Sequence, residues 1–144
     1  MTNNQYINEY KKTQQSSNTV ISSHEIVRTL MKELINSMQK IVLDIQDERK
    51  RKQDQLIDHI FVEKNARNKS KNLSKSLSII FGLQTSLDFD KALEISNSLF
   101  QLYEFCRQQI IKGFTLKTDD GILKAIEVLI QIMEGWEEIP SNVK

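Results

Sequence analysis

Two histidines, one cysteine and a run of four cations are the side chains in this sequence with the best claim to reactivity, and each has an ordinary reading beside it. His59 and Glu63 stand four apart, so on a helix they share a face and form half of a metal-ligand pattern. The Glu-x-x-His pairs that build di-iron sites in helical bundles are absent, and His24 lies in a separate segment with no evident partner network. Surface histidines are the expectation, with no metal and no other cofactor. Cys106 falls between Leu102 and Ile110 on an apolar stripe, where a thiol packs as a small hydrophobe, and adjacent Arg107 is the only cation to favour a thiolate. Gly82, Gly113, Gly121 and Gly135 are isolated, and no phosphate-binding loop or serine nucleophile turn occurs. Neither enzymatic activity nor a small-molecule substrate is expected.

The cations lead in the same direction. Arg49-Lys50-Arg51-Lys52 has the charge to hold phosphates, but Asp47, Glu48 and Asp54 flank it and reduce the local field, which favours a solvated helix surface or turn. Lys64, Arg67, Lys69, Lys71 and Lys75 form a second, more dilute basic region without the interleaved aromatics that stack on bases. With 20 Lys+Arg against 19 Asp+Glu, the net charge of +1 supplies no global attraction to nucleic acid or an acidic membrane. A partner has to be recognised by shape and apolar contact. The single cysteine excludes an intramolecular disulfide, and the start MTNNQYINEY lacks the basic and apolar regions of a signal peptide. No apolar stretch approaches the roughly 18 residues of a spanning helix. A soluble, cytoplasmic protein without membrane insertion is expected.

Length and breakers set the architecture that must carry these side chains. At 144 residues the chain fits one core, and four Gly and one Pro leave little to interrupt helices. Residues 1–21 are polar and read as a flexible N-terminal tail or lid, with Tyr6, Ile7 and Tyr10 as its anchors. Ser22-Ser23-His24-Glu25 has the form of a capping box, and Ile26, Val27, Leu30, Leu34, Met38, Ile41, Val42 and Ile45 then recur on one helical face. Past Asp47 the pattern lapses into a charged insertion around 47–64. It is compatible with a continuous helix through Leu56 and Ile60, or with a turn followed by a short helix over LIDHIFVEK. A second face carries Leu73, Leu77, Ile80, Phe81, Gln84 and Leu87, and Asp90 is placed to cap a third helix. That helix bears Leu93, Ile95, Leu99, Leu102, Tyr103, Cys106 and Ile110 and is expected to end near Gly113. The fourth starts at Thr118-Asp119-Asp120, presents Ile122, Ile126, Leu129, Ile130, Met133 and Trp136, and stops before Pro140. Four amphipathic helices with short connections can hide their stripes only against one another. The fold class expected is all-α, an antiparallel four-helix bundle, with one domain over 22–140 and a C-terminal tail over 141–144.

Read in order, these segments resemble the FliS family of flagellar export chaperones. Tyr6 and Tyr10 stand where the family has paired tyrosines before its first helix. Asn72-Leu73-Ser74-Lys75-Ser76-Leu77-Ser78-Ile79-Ile80 is similar to the family's segment of Lys, Ala and paired isoleucines, continued by Leu83 and Leu87-Asp88. Ile95, Leu99 and Leu102-Tyr103-Glu104-Phe105 resemble Ile-x3-Leu-x2-Leu-Tyr-Asp-Tyr, and Trp136 matches a late tryptophan. Two departures stand out: Leu30-Met31-Lys32-Glu33 replaces Leu-Tyr-Asp-Gly, and the stretch DERKRKQDQLIDHIFVEK is longer than usual. The resemblance implies a cytosolic chaperone that covers the disordered C-terminal segment of flagellin, prevents premature polymerisation and assists export, with the export machinery as a further partner. It points to Tyr6, Tyr10, Leu73, Leu77, Ile80, Leu99 and Tyr103 as partner-binding residues. The competing reading is a helical adaptor or regulator that binds nucleic acid or another protein through its charged hairpin from Asp47 to Lys71.

Overall fold

An apolar residue at every third or fourth position commits a segment to a helix with one buried side, and the computed structural model, which describes residues 23–138, contains four of them. They are α1 (Ser23–Gln53), α2 (His59–Thr85), α3 (Leu93–Leu116) and α4 (Asp120–Glu138). Side-chain pairings fix their directions. Glu33 meets Lys75 and Asp44 meets Asn65, so α2 runs back along α1. His24 meets Trp136 while Arg49 meets Asp119, so α4 is antiparallel to α1 as well. Gly113 abuts Ile122, and α3 and α4 share a short connection of residues 117–119. The result is an antiparallel ring in which α1 and α3 both pack on α2 and α4.

The core is built largely from the predicted stripes. Leu30, Leu34, Met38, Ile41, Val42 and Ile45 of α1 are buried, together with Leu99, Tyr103, Cys106 and Ile110 of α3 and Ile122, Ile126, Leu129 and Trp136 of α4. Met31 and Ile35, which fall beside the predicted stripe, are buried too. The departure at Met31-Lys32-Glu33 is thereby absorbed: Met31 fills core volume, Lys32 faces solvent, and Glu33 lies 2.9 Å from Lys75 Nζ.

Four expectations are corrected. Of the two readings of the charged stretch, the turn is the one observed, but the helix after it is long and not confined to LIDHIFVEK. DERKRKQ forms the last turns of α1, residues 54–58 make the turn with Gln55 at φ 56°, and His59 opens a 27-residue α2 capped by the Asp58 carboxylate on Phe61 N–H. On α2 the buried stripe is Ser76, Ile79, Ile80 and Leu83, which turns Phe81 outward to 42% exposure. Asp90 does not cap α3. Instead the Asp88 carboxylate accepts from the amides of Asp90 and Lys91, and Ala92 occupies the cap without a side-chain bond, leaving Leu93 exposed. Helix α3 also continues past Gly113 to Leu116 and closes on Lys117 in the left-handed region, φ 57°. Gly113 has a different role: a Cβ there would sit 2.5 Å from Ile122 Cδ1 and 2.6 Å from Thr118 O, so glycine permits the close approach of α4. Ser22 of the expected cap, the N-terminal tail and Pro140 lie outside the described residues.

Candidate functional site

The first half of α3 and the last turns of α4 face each other across an open groove of about 380 Å³. Each wall is the product of i, i+4 spacing. On α3, Ile95 and Leu99 line the floor while Glu94 and Ser98 form the lip. On α4, Ile132 and Trp136 line the floor while Gln131 and Gly135 form the lip. Leu99 and Trp136 are buried, Ile95 and Ile132 are half-buried, and the four lip residues are exposed. A Cβ on Gly135 would meet nothing within 4 Å, so this glycine keeps the α4 wall low. A tighter recess of about 40 Å³ shares Ile95, Leu99 and Trp136 with the groove and reaches Val27, Leu87 and Tyr103 at the same end of the bundle.

Trp136 is positioned by α1. His24 Nε2 lies 3.3 Å from the Trp136 carbonyl, for which it must be the donor, and Trp136 Nε1–H donates to the His24 carbonyl at 3.3 Å. The two rings are nearly parallel, at 7° with centroids 5.5 Å apart. His24 therefore has a defined partner that its sequence surroundings did not suggest. An apolar floor with a largely polar lip and one indole held by its N–H bond to α1 and by stacking on His24 suits an amphipathic segment better than a reacting small molecule.

The other reactive side chains are placed elsewhere. His59 pairs with Glu63 at 3.3 Å on the exposed surface, and no cluster of three or more His, Cys, Asp or Glu with metal-ligand geometry occurs among the described residues. Burial pushes the Cys106 thiol up to about 12, which keeps it protonated and unreactive. Burial likewise raises the Tyr103 hydroxyl. Three cations of the basic run are held intramolecularly: Arg49 by Asp119, Arg51 by Asp47 and by the Phe61 ring 4.3 Å away, and Lys52 by Glu48. Among the described residues no helix is long and apolar enough to cross a membrane.

Of the predicted partner-binding residues, Leu99 lines both groove and recess and Tyr103 lines the recess from the core. Ile80 is fully buried in the bundle, while Leu73 and Leu77 are half-buried on α2 and do not line the groove. Tyr6 and Tyr10 lie outside the described residues. Ile132, Gly135 and Ile95's neighbours on the lip were not singled out as site residues. The signal for Ile132 was present, because it is an apolar residue off the α4 core stripe and so needs another cover.

Fold and groove together define a small all-α bundle with a solvent-open apolar groove at one end. The chain belongs to the FliS family: the family model described as flagellar protein FliS matches residues 6–143. It is also similar to the flagellar secretion chaperone FliS of Vibrio cholerae serotype O1 (strain ATCC 39315 / El Tor Inaba N16961), at 34% identity over 73 residues. That alignment takes in 50% of this chain and 53% of the relative, about half of each length. No solved structure matches the chain.

Proposed function

We propose that this chain is a flagellar secretion chaperone acting in the cytoplasm, whose client is the C-terminal segment of flagellin and whose primary contact is the α3–α4 groove. The observation that carries this reading is the groove itself: two apolar i, i+4 pairs on facing helices, open to solvent and rimmed by polar residues, in a chain of the FliS family. A disordered client that folds as it docks would lay one apolar helical face on Ile95, Leu99, Ile132 and Trp136 and keep its polar face in water. Ordering the client opposes binding, so contact extends beyond this groove, and half-buried Leu73 and Leu77 on α2 are proposed as further contacts, with Ile80 and Tyr103 as support from the core. No bond is made or broken. Covering the segment keeps flagellin from polymerising before export.

The tail that carries Tyr6 and Tyr10 is proposed as a lid on this groove. What supports this is where the chain enters α1: His24, one residue past the start of the described helix, lies against Trp136 of the groove floor. Tyrosine rings with hydrogen-bonding tips would suit such a floor. Removing residues 1–20 is expected to raise the affinity for a flagellin C-terminal fragment and change Trp136 emission in the free protein. If truncation alters neither, the lid is wrong while the groove reading survives. The groove is tested by Ile95→Glu and Ile132→Glu, both at half-buried positions, which should each weaken fragment binding by about tenfold or more with helicity retained.

A further inference from the structure

Charge is distributed unequally over the bundle although the total is nearly neutral. Helix α2 carries five cations and the single carboxylate Glu63, and no acidic residue follows until Asp88, whereas α4 carries five carboxylates and the single cation Lys124. The two helices are diagonal in the ring, so carboxylate-rich α4 and cation-rich α2 lie on opposite sides of the molecule. Two of the α2 cations are consumed internally, Lys69 by Glu48 at 2.6 Å and Lys75 by Glu33. Lys64, Arg67 and Lys71 are exposed on one stripe at spacings of three and four, and no described carboxylate pairs with them or with exposed Lys40 of α1.

Lys40 and Lys71 face each other across an open groove of about 370 Å³ between α1 and α2. Leu43, 62% exposed, lies in its wall beside Asn68 and Asn72, and Asp44 is the one carboxylate among its lining residues. We propose that this groove is a second docking surface, and that its occupant is an acidic amphipathic segment of a partner protein other than the client. Its carboxylates would pair with Lys40, Lys71 and, further along the stripe, Arg67 and Lys64, while one apolar side chain covers Leu43 and the asparagine amides serve its polar edge. The concave shape and the central leucine favour a peptide over a nucleic-acid duplex, and no aromatic ring lines the groove for stacking on single-stranded bases. A bilayer is disfavoured because Leu43 is the one apolar residue the groove offers it.

The test uses the full chain and a short labelled helical peptide with glutamates at i, i+4 around a leucine stripe, read by fluorescence anisotropy at low and high salt, beside a twin with glutamine for every glutamate. The glutamate peptide is expected to bind at least about tenfold more tightly than its twin and to weaken with salt. Lys40→Glu combined with Lys71→Glu should abolish that preference, and Leu43→Ser should weaken binding several-fold, all at exposed positions that leave helicity unchanged. Ile95→Glu in the other groove should have no effect on this peptide. Equal binding of the twin, indifference to the Lys40 and Lys71 changes, or stronger binding of a single-stranded oligonucleotide or of anionic lipid vesicles through the same lysines would overturn the proposal. So would salt-sensitive association between copies of the chain that the same changes abolish.

Discussion

Glu48 is where the polar contacts of three segments converge. Its carboxylate holds Lys69 of α2 at 2.6 Å and Lys117 of the α3–α4 connection at 2.9 Å, with Lys52 at 3.5 Å. Burial alone would raise this carboxyl, but the hydrogen bonds and charges of Lys69 and Lys117 outweigh it and bring it from 4.5 down to about 2. A folded-state value below the unfolded one means that the contribution to stability is complete above about pH 4.5 and is lost as pH falls toward 2. Glu48→Gln is therefore expected to lose about 2 kcal/mol at neutral pH and to show a shallower acid decline between those limits, as measured by urea unfolding across pH. Ser37 and Ser76 present the opposite case, with buried hydroxyls that have no hydrogen-bond partner. Replacing either with Ala removes an unpaired polar group and raises helix propensity, so each variant should unfold at higher denaturant, by about 1 kcal/mol. None of this was legible in the sequence. A lysine and an asparagine buried at 6% and 5% in the first half of α2 look, to a search for apolar periodicity, like solvated residues.

At the scale of elements, the stripes of α1, α3 and α4 were readable because apolar side chains there do the burying. The first half of α2 was not, because polar contacts attach it to α1: Asn65 to the Asp44 carbonyl, Lys69 to Glu48, and Arg51 over the Phe61 ring. The two later connections were located but not their chemistry, while the α1–α2 turn was one of two open readings. Gln55 and Lys117 both adopt positive φ, 56° and 57°, at positions where glycine is the usual choice. Gln55 is exposed, so Gln55→Gly should stabilise the α1–α2 hairpin by up to about 1 kcal/mol in thermal unfolding. Gly113→Ala should do the reverse. Its Cβ would press on the Thr118 carbonyl as well as on the flexible end of Ile122, and forcing the helices apart should cost about 1–3 kcal/mol.

For the whole molecule, family and fold were both readable from the order of motifs, while the groove was not, since it depends on how the ends of α3 and α4 face each other rather than on either stripe. Ile95 and Leu99 were visible as stripe residues, yet Ile132 and Gly135 acquire meaning only from the opposite wall. Gly135 offers the sharpest probe. A side chain placed there enters open space, so Gly135→Leu should keep or raise stability through helix propensity while filling the groove. The decisive measurement is a calorimetric titration of the full chain and of Gly135→Leu with a flagellin C-terminal fragment. One-to-one binding that is tight for the parent and at least about tenfold weaker for an equally stable Gly135→Leu protein is the predicted result. Equal binding by both proteins, or no binding by the parent, would contradict the assignment of this groove to flagellin.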